Sequence, residues 1–127
     1  MKELSRAEAT ELVATKVMGW EYHGRKEAWW YTDADGERVA TNKKTLTIPY
    51  YNPFADDQLH RCFEALEKWK KTVRESAEIE YTGTWCVRLY DGFAMVSIAG
   101  AKSLNVAIIT ALCSAVLGES VIIKEEV

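Results

Sequence analysis

Proline is nearly missing from this chain: two residues in 127, Pro49 and Pro53, so long helices and strands run uninterrupted by it. Cysteine is scarce. Cys62, Cys86 and Cys113 lie far apart and form no CxxC pair, which removes zinc-ribbon and dithiol redox motifs from consideration. An odd number of such residues fits a reducing cytoplasm, with each thiol expected in the core. There is no excess of positive charge either. A formal net charge of −3 speaks against bulk nucleic-acid or membrane-surface binding. The most apolar run, Val106 to Leu117, is too short to span a bilayer. Met1 to Arg6 carries a negative charge and lacks the pattern of a signal peptide. No GxSxG, Walker loop or GxGxxG occurs, so the motif search favours a protein without catalytic activity or a cofactor. Repeats, linkers and low-complexity runs are missing as well, which predicts one domain over residues 1–127.

What remains is a regular alternation of secondary-structure signals. Ser5-Arg6-Ala7-Glu8 reads as a capping box, and Ala9, Leu12, Val13 and Val17 follow at helical spacing. This predicts a first helix from Arg6 to Met18, stopped by Gly19. Glu27 to Thr32 is strand-like, Asp33-Ala34-Asp35-Gly36 is a turn, Glu37 to Ala40 a return strand, and Thr45 to Ile48 alternates. Asn52 and Pro53 read as cap and first position of a second helix over Ala55 to Glu75. Its apolar stripe is Leu59, Phe63, Leu66, Trp69 or Lys70, and Val73. Arg61, Glu64, Glu67, Lys68 and Lys71 fall on the wet side, with Glu64–Lys68 and Glu67–Lys71 as i,i+4 pairs. Two β-prone runs flank Asp91-Gly92, which predicts a hairpin with a type I′ turn. Ser103 and Gly118 bracket a third helix, Leu104 to Leu117, apolar nearly all round. Such a helix needs cover on several sides, from the sheet and from a second subunit. The tail Val121 to Lys124 is β-prone and suited to a sheet edge. The expectation is an α+β fold: a mainly antiparallel sheet sandwiched by three helices, with about four to six strands.

Leu12-Val13-Ala14-Thr15-Lys16-Val17-Met18-Gly19-Trp20 resembles the opening motif of the phage ABA sandwich family, small proteins encoded by phages and prophages. Tyr51-Asn52-Pro53-Phe54-Ala55-Asp56-Asp57 resembles its second motif, with Phe54 where a small polar residue is more usual. The alanine-rich third helix is similar to its closing helix. The resemblance implies a sheet between helical layers and a protein acting in the cytoplasm of an infected bacterial host. It implies no established chemistry.

Among site candidates, Asp56, His60 and Glu64 share one helical face and could ligate a metal, and Asp33-Ala34-Asp35-Gly36 matches part of a calcium loop. Neither set has its remaining ligands. The stronger signal is aromatic and basic. Trp29, Trp30, Tyr31, Tyr50 and Tyr51 stand near Arg25, Lys26, Lys43 and Lys44. Flat rings stack on bases, and cations or a helix start receive phosphates. In adjacent strand positions, one of Trp29 and Trp30 faces inward and the other outward. The expected ligand-binding set is Arg25, Trp29, Trp30, Lys43, Lys44, Tyr51 and Asn52. Trp29, Trp30 and Tyr51 would stack, while Arg25, Lys43 and Lys44 would meet phosphates. The expected partners are a small nucleotide-type ligand and further copies of the same chain. By analogy with phage proteins that sequester the nucleotide signals of bacterial immunity, the chain reads as such a sponge. The competing reading is a protein-interaction module that blocks or adapts a host or phage protein.

Overall fold

The computed structural model describes residues 1–45, 47–71 and 74–124. Strand β1 (Lys2–Leu4) leads into helix α1 (Arg6–Leu12), which continues as a π-helical turn, Val13–Val17. Strands β2 (Glu21–Arg25), β3 (Ala28–Thr32) and β4 (Arg38–Thr41) follow. A 3₁₀ turn, Asp56–Gln58, opens helix α2 (Leu59–Trp69). Strands β5 (Glu75–Tyr81), β6 (Trp85–Asp91) and β7 (Ala94–Ala101) precede helix α3 (Leu104–Leu117) and strand β8 (Val121–Ile123). The fold is α+β. The strands form two antiparallel three-stranded sheets, β2-β3-β4 and β5-β6-β7, and a parallel pair, β1-β8. Eight strands stand among the described residues, more than the sequence predicts. β1 and β2 are the strands that the sequence does not signal.

The capping box forms as the sequence predicts: Glu8 N–H donates to Ser5 Oγ (3.1 Å), and Ser5 N–H donates to Glu8 Oε1 (2.9 Å). Gly19, at φ +74°, takes the left-handed turn that ends this helical segment. The third helix also matches expectation. The Ser103 hydroxyl accepts from Val106 N–H, and Gly118 closes the helix at φ +70°. Ala107, Ile108, Ile109, Ala111, Leu112 and Cys113 are fully buried. Each large aliphatic among them contributes about 1.5–3 kcal/mol of burial. Strands β6 and β7 cover α3 on one side; α1, the π turn, α2 and β8 meet its other sides. Elements of the same chain therefore meet this helix on several sides. The tail is spoken for as well, since Lys2, Glu3 and Leu4 pair with Val121, Ile122 and Ile123. The outer face of β5-β6-β7 stays exposed at Glu78, Glu80 and Ile98, and Arg88 bridges the two glutamates there.

Several local expectations are corrected. The β6–β7 hairpin exists, but Asp91 pairs with Ala94, so the turn residues are Gly92 and Phe93. Only Gly92 has positive φ (+64°), the pattern of a type II′ turn rather than type I′. The second helix starts later and ends sooner than predicted. Asn52 is not its cap. The Asn52 side-chain oxygen instead accepts from Phe54 N–H (3.2 Å) and its carbonyl from Ala55 N–H (3.0 Å). α2 also turns a different face inward. Arg61, Cys62, Ala65 and Leu66 are buried, whereas Phe63 is 42% exposed. The acidic residues pair at i,i+3, Arg61–Glu64 and Glu67–Lys70. Val73 of the expected stripe lies outside the described residues, as does Leu46 of the expected Thr45–Ile48 strand. Thr45 is not in a strand: its hydroxyl instead donates to the Ile48 carbonyl and accepts from Ile48 N–H, both at 3.0 Å.

Candidate functional site: an aromatic cavity beside the first helix

The β2-β3-β4 sheet has two chemically different faces. On one, Tyr22, Trp29 and Tyr31 meet edge-on or tilted, with Trp29 and Tyr31 ring centroids 5.2 Å apart. Trp20 and Tyr51 complete this cluster, at 5.5 Å from each other. Tyr31 and Tyr51 are almost fully buried, and that burial pushes both phenols well above the ordinary tyrosine range. They stay neutral at any physiological pH. On the opposite face Trp30 lies parallel to His23 (5.7 Å), with the Arg38 guanidinium 4.7 Å from its ring. The alternation expected for Trp29 and Trp30 is therefore observed: they face opposite ways.

Main-chain bonds fix Trp29. Its N–H donates to Asn42 Oδ1 (3.1 Å), and its carbonyl accepts from the Thr41 hydroxyl (3.0 Å). The stretch Tyr51–Ala55 is tied to α3 and α2. Asn105 Nδ2 donates to the carbonyls of Pro53 (2.9 Å) and Ala55 (3.0 Å), and the Cys62 thiol donates to that of Pro53 (3.1 Å). Arg61 reaches up from α2 beneath the rings. Its guanidinium carbon is 5.2 Å from the Tyr51 centroid and 5.8 Å from that of Trp20, and Nη2 donates to the Val39 carbonyl (3.2 Å).

Between this aromatic face and α1 lies a cavity of about 400 Å³. Helix α1 contributes Arg6, Thr10 and Glu11; the sheet contributes Tyr22 and Trp29, and the β2–β3 turn contributes Lys26; the following loop contributes Tyr50, Tyr51 and Asn52. The seven predicted residues do not gather at one place. Trp29, Tyr51 and Asn52 line the cavity, Tyr51 with little of its ring exposed. Trp30 lies on the opposite face of the sheet, so it cannot share a ligand with Trp29 within one chain. Arg25, Lys43 and Lys44 lie outside the lining. Lys44 Nζ lies 5.6 Å from the centroid of the Tyr50 ring. Nor does the Asn52-Pro53 segment offer free N–H groups to an anion. Asn52 N–H donates to Gln58 Oε1 (2.7 Å), and the N–H groups of Phe54 and Ala55 donate to Asn52.

The cations that do line the cavity are Lys26, from the basic cluster visible in the sequence, and Arg6, which sequence reasoning missed. Arg6 sits inside a capping box, where only helix formation is legible. Its place beside Phe54, 48 positions further along, appears only in three dimensions. Among the described residues no group of three His, Cys, Asp or Glu could hold a metal. Asp33 of the calcium-like stretch instead accepts from the N–H groups of Asp35 (2.9 Å) and Glu37 (3.0 Å), closing a turn. No helix among the described residues is long and apolar enough to cross a membrane. No protein-family model, curated protein or solved structure matches this chain.

Proposed function

We propose that this protein is a non-catalytic binder that sequesters a small nucleotide-type ligand in the aromatic cavity. The single observation behind this reading is the cavity itself. It joins the rings of Trp29, Tyr22 and Tyr50 to two cations, Arg6 and Lys26. Its size falls in the lower part of the ~300–1,000 Å³ range of small-molecule sites. Rings of this kind stack on bases with little regard to base identity, and the cations suit phosphate. The resemblance to the phage ABA sandwich family adds a phage setting and no chemistry of its own. On that reading the protein acts in the cytoplasm of an infected bacterium as an anti-defence sponge, and its role is capture alone. The family's sheet sandwiched by helices and assembly into a homo-oligomer belong to the same proposal. Isothermal titration against a panel of mononucleotides, cyclic nucleotides and ADP-ribose-type compounds is the test. Saturable heat with one member is expected, and silence from the whole panel overturns the reading.

A second observation favours the interaction-module reading. Strand β7 is an open sheet edge, uncharged from Ala94 to Ala101, and exposes Met95, Val96 and Ile98 beside a fully exposed Phe93. Natural edges are usually guarded by charge or proline. Capture of a defined host protein, lost on Ile98→Lys, would support this alternative; unchanged capture by that variant counts against it.

A further inference from the structure

Arg6 is the least satisfied cation of the cavity lining. Its guanidinium carbon lies 5.1 Å from the Phe54 ring centroid. Its Nε is sealed from solvent and has no hydrogen-bond partner. Among the described residues it forms no ion pair. Glu11, the one carboxylate on the same lining, is not bonded to it. A guanidinium is a planar fork of five donors and cannot shed its charge. Donors left unpaired in a folded protein are uncommon and mark either strain or a missing acceptor. Covering Phe54 alone requires only methylene groups, which a methionine or leucine supplies.

We propose that Arg6 anchors a single phosphate group on the ligand of this cavity, with the attached base against Trp29. This rests on the binding reading above and narrows it. The fork made by the two terminal Nη groups can meet two phosphate oxygens at once. Lys26 adds positive charge, whereas Glu11 repels a second phosphate on the same lining. The volume of about 400 Å³ holds one base–sugar–phosphate unit rather than several. The ligand is therefore a nucleoside monophosphate or a compound ending in one.

The test compares the four common nucleoside 5′-monophosphates with their nucleosides, by titration into wild type and Arg6→Met. Wild type is expected to bind at least one monophosphate about tenfold or more tighter than its nucleoside, the gain of a charge-assisted hydrogen bond. In Arg6→Met that monophosphate should fall to the nucleoside's affinity, with nucleoside binding unchanged. Arg6→Lys keeps the charge and loses the fork, and should fall between the two; it also serves if Arg6→Met fails to fold. If wild type binds neither class but titrates with another member of the wider nucleotide panel, the assignment of Arg6 is overturned while the cavity reading stands; silence from the whole panel overturns both. If wild type binds nucleoside and monophosphate alike, or if both variants keep the full preference for phosphate, the assignment of Arg6 is overturned while the cavity reading stands.

Discussion

Replacing Arg61 with alanine removes the tie between α2 and the β2-β3-β4 sheet. The side chain is 8% exposed, touches two rings, and donates to the Val39 carbonyl and to Glu64. A hydrogen bond from a charged donor contributes about 1.5–3 kcal/mol. Each cation–π contact adds ~0.5–1 kcal/mol, more where water is excluded. Against this stands the cost of drying a guanidinium whose Nε has no partner. Glu64 is 43% exposed, so it returns to water when Arg61 is lost and leaves no buried charge behind. The net loss should therefore lie below that of a fully buried pair, roughly 2–3 kcal/mol. For a chain of this size that is a fall in Tm on the order of 8–12 °C. Urea unfolding followed by tryptophan fluorescence measures it, alongside thermal melts. Arg61→Met separates charge from volume, and should lose nearly as much as alanine. Glu64→Gln should cost less than about 0.5 kcal/mol, as for an exposed partner. If Arg61→Met equals or exceeds wild type in stability, the guanidinium is a net burden and the reasoning fails.

The capping box makes part of the stability pH-dependent. Bonds from Ser5 N–H and from the Ser5 side chain hold the Glu8 carboxyl below the ordinary carboxylate range. A depressed value means that its contribution is present above the unfolded pKa and disappears as pH falls through the folded one. Glu8→Gln should thus lower Tm at neutral pH and converge with wild type in acid; a constant difference across that range contradicts the assignment. Ser5→Ala should cost about 1 kcal/mol at neutral pH, read from urea midpoints. The cysteines should divide in a disulfide-exchange assay on native protein at mildly alkaline pH. Burial pushes the thiols of Cys62 and Cys113 up to about 12, roughly a thousandfold less thiolate than an ordinary cysteine. Cys86, which is only half-buried, should react first, and the other two only on unfolding; three equal rates would refute this.

What the chain discloses before folding is chiefly local. The Ser5–Glu8 box, the Ser103 and Gly118 helix ends and the Asp91-Gly92 hairpin each depend on residues within a few positions of one another. Phe63 dominates the apolar pattern of α2 in the sequence, yet it is Cys62 and Ala65 that fit against the rest of the core. Arg61 looks like a surface residue until the Val39 carbonyl, 22 positions away, comes within reach. The aromatic-basic cluster correctly drew attention to Trp29 and Tyr51 as cavity neighbours. Trp30 belongs to the same cluster in sequence, yet strand alternation puts it on the opposite face of the sheet. Arg6 and Tyr22 join them only after α1 and β2 have packed. Likewise, nothing near Lys2 announces a strand, since its partner is Val121.

That last pairing sets an order of events during synthesis. A nascent chain leaves the ribosome amino end first, so Lys2–Leu4 must wait, unpaired, while nearly every other element is made. Only when Val121–Ile123 emerges can the ribbon zip shut and lay its final cover against α3.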